Sequence, residues 1–185
     1  MRCFIAVPLD NELRKNVKKI QKKFKILENS LKFVKSENLH ITVKFLGNVN
    51  KTQIEQIKQN VRVALKNREP FQMEICGIGV FPSINYVRVI WLGVENGREE
   101  LIKLMKNVDE KFERLGFKRE KNYVPHLTLA RVKNVRVNEK EKLKKLIEEL
   151  KNVRIGCMKV STLVLYRSEL LPSGPVYTEL FRWEF

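Results

Sequence analysis

The sequence predicts an α+β fold in which antiparallel hairpins pack with amphipathic helices. Strand-like and helix-like periodicities interleave along the 185 residues, and strand segments twice arrive as consecutive pairs, the pattern of hairpins rather than of a purely parallel βαβ sheet. No low-complexity tract, Pro/Gly/Ser linker or long charge block interrupts them, so the chain reads as continuously folded. The length suits one domain or two intimately joined lobes.

Residues 2–7 (RCFIAV) form an apolar run of strand length. Asp10 is placed to cap a helix whose apolar positions Leu13, Val17, Ile20 and Phe24 share one face. Strands follow at 31–34 and 39–46, then a second amphipathic helix through Ile54, Ile57, Val61 and Leu65. FQMEICGIGVF and YVRVIWLGV read as paired strands joined by a turn around PSIN. The GIGVF stretch lacks the third glycine and the following helix that a phosphate-binding loop needs. A third helix carries Leu101, Leu104, Val108, Phe112 and Leu115, with Gly116 placed to end it. A strand is expected at 126–132. Asn138 with Glu141 resembles a capping box opening a fourth helix through Leu143, Leu146 and Leu150, before two final strands near 153–166 and 175–185.

Composition narrows the function classes. With 43% hydrophobic residues the chain lacks the signature of disorder. The opening MRCFIAVPLD has neither a signal-peptide pattern nor membrane-spanning length, so a cytoplasmic protein without membrane attachment is expected. Three widely spaced cysteines, Cys3, Cys76 and Cys157, argue against a disulfide framework and are expected as buried free thiols. A net charge of +16, from 37 Lys+Arg against 21 Asp+Glu, attracts polyanions, although a Lys- and Glu-rich surface is also what a thermophile presents to solvent.

The chain has only two histidines, and each opens the same pattern: HITV at 40–43 and HLTL at 126–129. Threonine occurs five times in all, so two such coincidences have a compositional probability on the order of 0.001. In an extended strand residues i and i+2 share a face. His40 and Thr42 therefore project together while Ile41 and Val43 face a core, and His126 and Thr128 repeat this against Leu127 and Leu129. Two imidazoles near their ordinary pKa of about 6.5 can supply the acid and the base that phosphodiester cleavage needs, with hydroxyls binding phosphoryl oxygens. A catalytic zinc would need a third ligand, and a Cys-His nucleophile a nearby thiol. Neither is evident beside the motifs, so no metal and no cofactor is expected.

ENLHITVKFLG and YVPHLTLARV resemble the paired His-x-Thr-x motifs of the two-histidine phosphoesterases, and in particular the RNA 2′,3′-cyclic phosphodiesterases, also known as 2′-5′ RNA ligases. MRCFIAVPLD and LYRSELLPSGPVYTEL extend the likeness over nearly the whole chain. The resemblance implies a single bilobal domain spanning residues 1–185. Pseudo-twofold, duplicated antiparallel sheets flanked by helices would bring the two motifs to a central cleft. It further implies opening of 2′,3′-cyclic phosphate ends of RNA to a 2′-phosphate, with reversible 2′-5′ ligation in some members, by a protein expected to be a monomer. Carried over, His40 is the proton donor to the leaving 3′ oxygen, His126 accepts the proton of water, and Thr42 and Thr128 bind the non-bridging oxygens.

Arg131 stands where members of that family often carry an arginine. Strict alternation puts it opposite His126, so a phosphate contact requires the strand to end or bulge; otherwise it is a solvated arginine. By the same alternation Lys44 shares the face of His40 and Thr42. Phe45 and Tyr166 are expected to pack in the core, with base stacking as the alternative. Two rival readings remain open on sequence grounds: a phosphodiesterase for a small cyclic nucleotide, and an RNA-binding module with idle histidines.

Overall fold

In the computed structural model, which describes residues 1–185, nine strands form one antiparallel sheet covered on one side by four helices. The strands are β1 (Arg2–Pro8), β2 (Leu31–Phe33), β3 (His40–Asn48), β4 (Phe71–Ser83), β5 (Tyr86–Val94), β6 (His126–Val132), β7 (Arg154–Val160), β8 (Thr162–Leu171) and β9 (Gly174–Glu184). The helices are α1 (Asn11–Lys23), α2 (Lys51–Leu65), α3 (Arg98–Glu113) and α4 (Val137–Glu149). Across the sheet the order is β7-β4-β5-β6-β3-β1-β8-β9, with β2 along the remaining edge of β6.

The sheet is two halves, β3-β1-β8-β9 and β6-β5-β4-β7, that meet at one bridging pair, Ile41 against Leu127. Counted outward from that pair the halves correspond strand for strand. Each half contains the same succession of a strand, a crossing helix and a histidine-bearing strand, β1-α1-β3 with β2 before the last strand in one and β5-α3-β6 in the other. The helices, however, are exchanged. Asn16 of α1 donates to the Ile155 carbonyl of β7 (3.0 Å) and Gln21 to the Leu129 carbonyl of β6 (3.1 Å), so the helix following β1 lies under the half to which β1 does not belong. In return α3, which follows β5, packs against β3 and α2, with Asn107 donating to the Ala64 carbonyl (2.8 Å). A 41-residue apolar cluster runs through both halves, so they share one core.

The helix starts follow capping chemistry. Asp10 Oδ1 accepts from Leu13 N (2.8 Å), as its sequence position predicts. Asn50 and Gln53 form a reciprocal capping box at α2 (2.9 and 3.0 Å). Gly116 takes a left-handed φ of 83° and ends α3, its N–H reaching the Glu113 carbonyl (3.0 Å). Helix α4 departs from expectation: it begins at Val137, before Asn138. The carboxylate that caps its first turn is Glu139, which accepts from Arg136 N (2.9 Å) and from the hydroxyl of buried Ser30 (2.7 Å). That tertiary tie draws the helix start forward and leaves Glu141 exposed.

Three strands, rather than two, close the chain. The segment 153–166 divides at Ser161 because β7 belongs beside β4 and β8 beside β1, at opposite ends of the sheet. The thiols also differ from expectation, since Cys3 is buried but Cys76 is half-buried and Cys157 exposed on β7. No helix is long and apolar enough to cross a membrane.

Candidate active site

The two His-x-Thr-x segments lie on the adjacent central strands β3 and β6, and the Ile41–Leu127 pair joins the second residue of each, between its histidine and its threonine. Both apolar partners are fully buried, which at about 1.5–3 kcal/mol per side chain holds the alternate positions, His40, Thr42, His126 and Thr128, on the opposite face. The strands run antiparallel and pair only here, so each histidine sits across from the threonine of the other motif and the two histidines are diagonal to one another. All four predicted residues are thereby brought together above the point where the halves meet.

Strict alternation then fails in both strands at equivalent places. Against β1, Ala6 pairs with Thr42 and Ile5 with Lys44, so Val43 is an extra residue in β3. Against β5, Trp91 pairs with Thr128 and Ile90 with Ala130, so Leu129 is an extra residue in β6. Each bulge shifts the rest of its strand by one position. Arg131 is therefore turned onto the face of His126 and Thr128, where its charge acts on both His126 and Tyr177.

Lys44, expected beside His40, is instead turned beneath the sheet and buried, where its ammonium pairs with Asp109 of α3 and donates to the Lys118 carbonyl. Phe45 takes the position equivalent to Arg131. It is 61% exposed, so the expectation of core packing fails for it. Tyr166 is half-buried on the same face, 5.3 Å from Phe4 between ring centroids.

The imidazoles are held alike. His40 Nδ1 lies 2.7 Å from the Asn38 carbonyl and His126 Nδ1 lies 2.7 Å from the Val124 carbonyl. A carbonyl only accepts, so Nδ1 carries the hydrogen in both neutral rings and Nε2 is the unprotonated nitrogen. The Asn38 side chain is itself pinned, donating to the Pro175 carbonyl (2.8 Å). Thr42 donates to His40 Nε2 (3.1 Å), whereas His126 Nε2 has no protein partner.

Aromatic rings flank both histidines. Phe4 and Tyr177 lie 4.8 and 5.4 Å from the His40 ring, and Phe81 and Trp91 lie 5.1 and 6.0 Å from the His126 ring. Trp91 can lie there only because residue 79 is glycine, as a Cβ would overlap its indole. Sequence reasoning missed these four rings, because strand register selects them and register is invisible in one chain.

Burial lowers both imidazole pKa values. His40 falls to about 4, chiefly by desolvation, with the charge of His126 adding to the effect against the hydrogen bond to Asn38. His126 is lowered by desolvation and by the Arg131 charge, against its bond to Val124. Both rings are therefore neutral at pH 7 in the free protein. A bound phosphate brings the negative charge that favours protonating one of them. No third His, Cys, Asp or Glu joins them in a metal-binding group.

Two histidine-threonine pairs on the central strands of a duplicated antiparallel α+β fold define the class of two-histidine phosphoesterases. Residues 2–177 match the AKAP7 2'5' RNA ligase-like domain, and the chain belongs to that family. It is 47% identical over 180 residues to the RNA 2',3'-cyclic phosphodiesterase of Methanothermobacter thermautotrophicus, covering 97% of this chain and 96% of that one. The crystal structure of TT0787 of Thermus thermophilus superposes with a TM-score of 0.83 at 29% identity, covering 100% of this chain and 97% of that one. LigT of Escherichia coli in its apo form superposes with a TM-score of 0.76 at 26% identity, covering 99% and 96%.

Proposed function

We propose that this chain, acting as one two-lobed unit, hydrolyses the 2′,3′-cyclic phosphate end of RNA to a 2′-phosphomonoester, with His126 as base and His40 as acid. The observation that carries the reading is the juxtaposition of two oriented imidazoles, two hydroxyls and Arg131 on one face around the Ile41–Leu127 pair. Water attacks phosphorus as His126 Nε2, the nitrogen with no protein partner, takes its proton. The bond from phosphorus to the 3′ oxygen breaks, and protonated His40 Nε2 delivers a proton to that oxygen. One proton enters and one leaves, so the pair returns to its starting state by exchange with solvent.

Thr42, Thr128 and Arg131 suit the non-bridging oxygens, whose charge grows in the transition state. With a 5′-hydroxyl in place of water, the same groups would form a 2′-5′ linkage, and the reverse step would break it. The names of the relatives support the cyclic phosphate as substrate.

The test is a 5′-labelled oligonucleotide ending in 2′,3′-cyclic phosphate. The expected product carries a 2′-phosphate and resists a 3′-specific phosphatase. A 3′-phosphate product would invert the assignment of the leaving oxygen, and absence of turnover would end the proposal.

A further inference from the structure

Farther along β3 from His40 a groove of about 610 Å³ runs between the outer end of the strand and the loop 117–122, and nothing in the proposed chemistry uses it. We infer that this groove holds the single-stranded RNA preceding the cyclic end, with Phe45 as a stacking platform and Lys118 and Lys121 as phosphate contacts. The inference rests on the activity proposed above.

Three observations carry it. The first is continuity: the Phe4 ring lies 4.8 Å from that of His40 and 6.2 Å from that of Phe45, so a strand leaving the imidazoles passes directly onto the groove. The second is chemistry, because an aromatic face 61% exposed beside unpaired lysines is the combination that binds single-stranded nucleic acid without reading its sequence. Neither Lys118 nor Lys121 is ion-paired to a carboxylate.

The third observation is rigidity. The loop backbone is anchored from below, with Lys44 bonded to the Lys118 carbonyl and Asp109 accepting from Glu120 N (2.8 Å), so cationic side chains stand out from a fixed main chain and less ordering accompanies binding. A second concavity of about 460 Å³ lies beyond Pro8 and Tyr166, but it has no comparably exposed ring and two of its three cations, all but Lys159, are already engaged. Arg182 is paired with Glu179 (2.6 Å), and Arg14 donates to the Leu9 and Ser36 carbonyls.

The experiment compares a 2′,3′-cyclic mononucleotide with a ten-residue RNA bearing the same end, in the intact protein, in Phe45→Ala and in the double variant Lys118→Ser/Lys121→Ser. In Phe45→Ala, kcat/KM for the oligomer relative to the mononucleotide should fall roughly 5- to 150-fold, the range of one base-aromatic stack. In the lysine variant the log-log salt slope of oligomer affinity should shrink by about 0.7 for each phosphate no longer neutralised.

Anisotropy with a labelled oligomer ending in 2′-phosphate reads the groove separately from turnover. Equal oligomer affinity and salt slope in all three proteins would overturn the groove. Failure of the intact protein to turn over either substrate, with oligomer binding still weakened in the variants, would overturn the activity and leave the groove standing.

Discussion

Replacing Asp109 by asparagine would leave the buried Lys44 ammonium with only the half-exposed Glu120 carboxylate, 4.0 Å away, as counter-charge. Both side chains are 1% exposed, and the carboxylate also accepts from the Tyr123 hydroxyl (2.6 Å) and from Glu120 N (2.8 Å). Removing one member of such a pair costs about 3–5 kcal/mol, because the surviving charge stays desolvated. For a chain of this length each kcal/mol moves Tm by about 2–4 °C, so Asp109→Asn should melt roughly 6–20 °C lower. Lys44→Met should fall in the same range. The double variant Lys44→Met/Asp109→Leu removes both charges and should be more stable than either single variant, a non-additivity readable in urea unfolding.

Acid should act like the mutation. Burial pushes the Asp109 carboxyl up, but the bonds from Lys44, Tyr123 and Glu120 N–H outweigh it and hold the folded pKa below its ordinary value. The stabilisation is therefore complete above the unfolded value of about 3.9 and is lost as pH falls through the lower folded value. Additive losses, or single variants within about 1 kcal/mol of the parent, would refute a buried ion pair as the anchor of this loop.

Four further outcomes are expected. The profile of kcat/KM against pH reports the free protein, so the two lowered imidazoles should place one limb of its bell at about 4 and the other below the ordinary imidazole value, while bound phosphate should displace the kcat profile upward; limbs both above pH 7 would contradict the burial argument. Alanine at His40 or His126 should each cost on the order of a hundredfold or more with strong non-additivity, and a sulfur leaving atom at the 3′ position should rescue His40→Ala but not His126→Ala. Thorough chelation should leave turnover intact, whereas loss restored by one divalent metal would introduce a ligand the proposed chemistry does not have. Gly79→Ala should displace Trp91 from the His126 ring, which near-ultraviolet circular dichroism would register together with a fall in kcat.

Much of this architecture is legible in the sequence, and its limits have a physical cause. Helices α1, α2 and α3 follow the 3.6-residue spacing of their buried positions, and the His-x-Thr-x segments follow the two-residue spacing of strands. Alternation fails at Val43 and Leu129, where an inserted residue satisfies the pairing of a neighbouring strand that local sequence does not reveal. Those insertions send Lys44 beneath the sheet and bring Arg131 onto the site. One sign is present: Asp109 falls on the buried stripe of α3, between Met105 and Phe112, and a carboxylate there demands a buried cation. The exchange of helices between halves has no local signature, since it depends on which end of the sheet each strand joins.

The paired bulges also give the site a direction. A duplicated frame related by a twofold axis presents the same imidazole and hydroxyl from either side, and by itself could not tell one end of a nucleotide from the other. The first site-facing position past each bulge breaks that equivalence, with a flat ring at Phe45 on one flank and a guanidinium at Arg131 on the other. Because the inserted residue lies between them and the His-Thr pair, these two positions can diverge in chemical character without disturbing the groups to which the proposed mechanism gives the proton transfers. Polarity toward substrate and capacity for chemistry are thus written in separate places on the same strand.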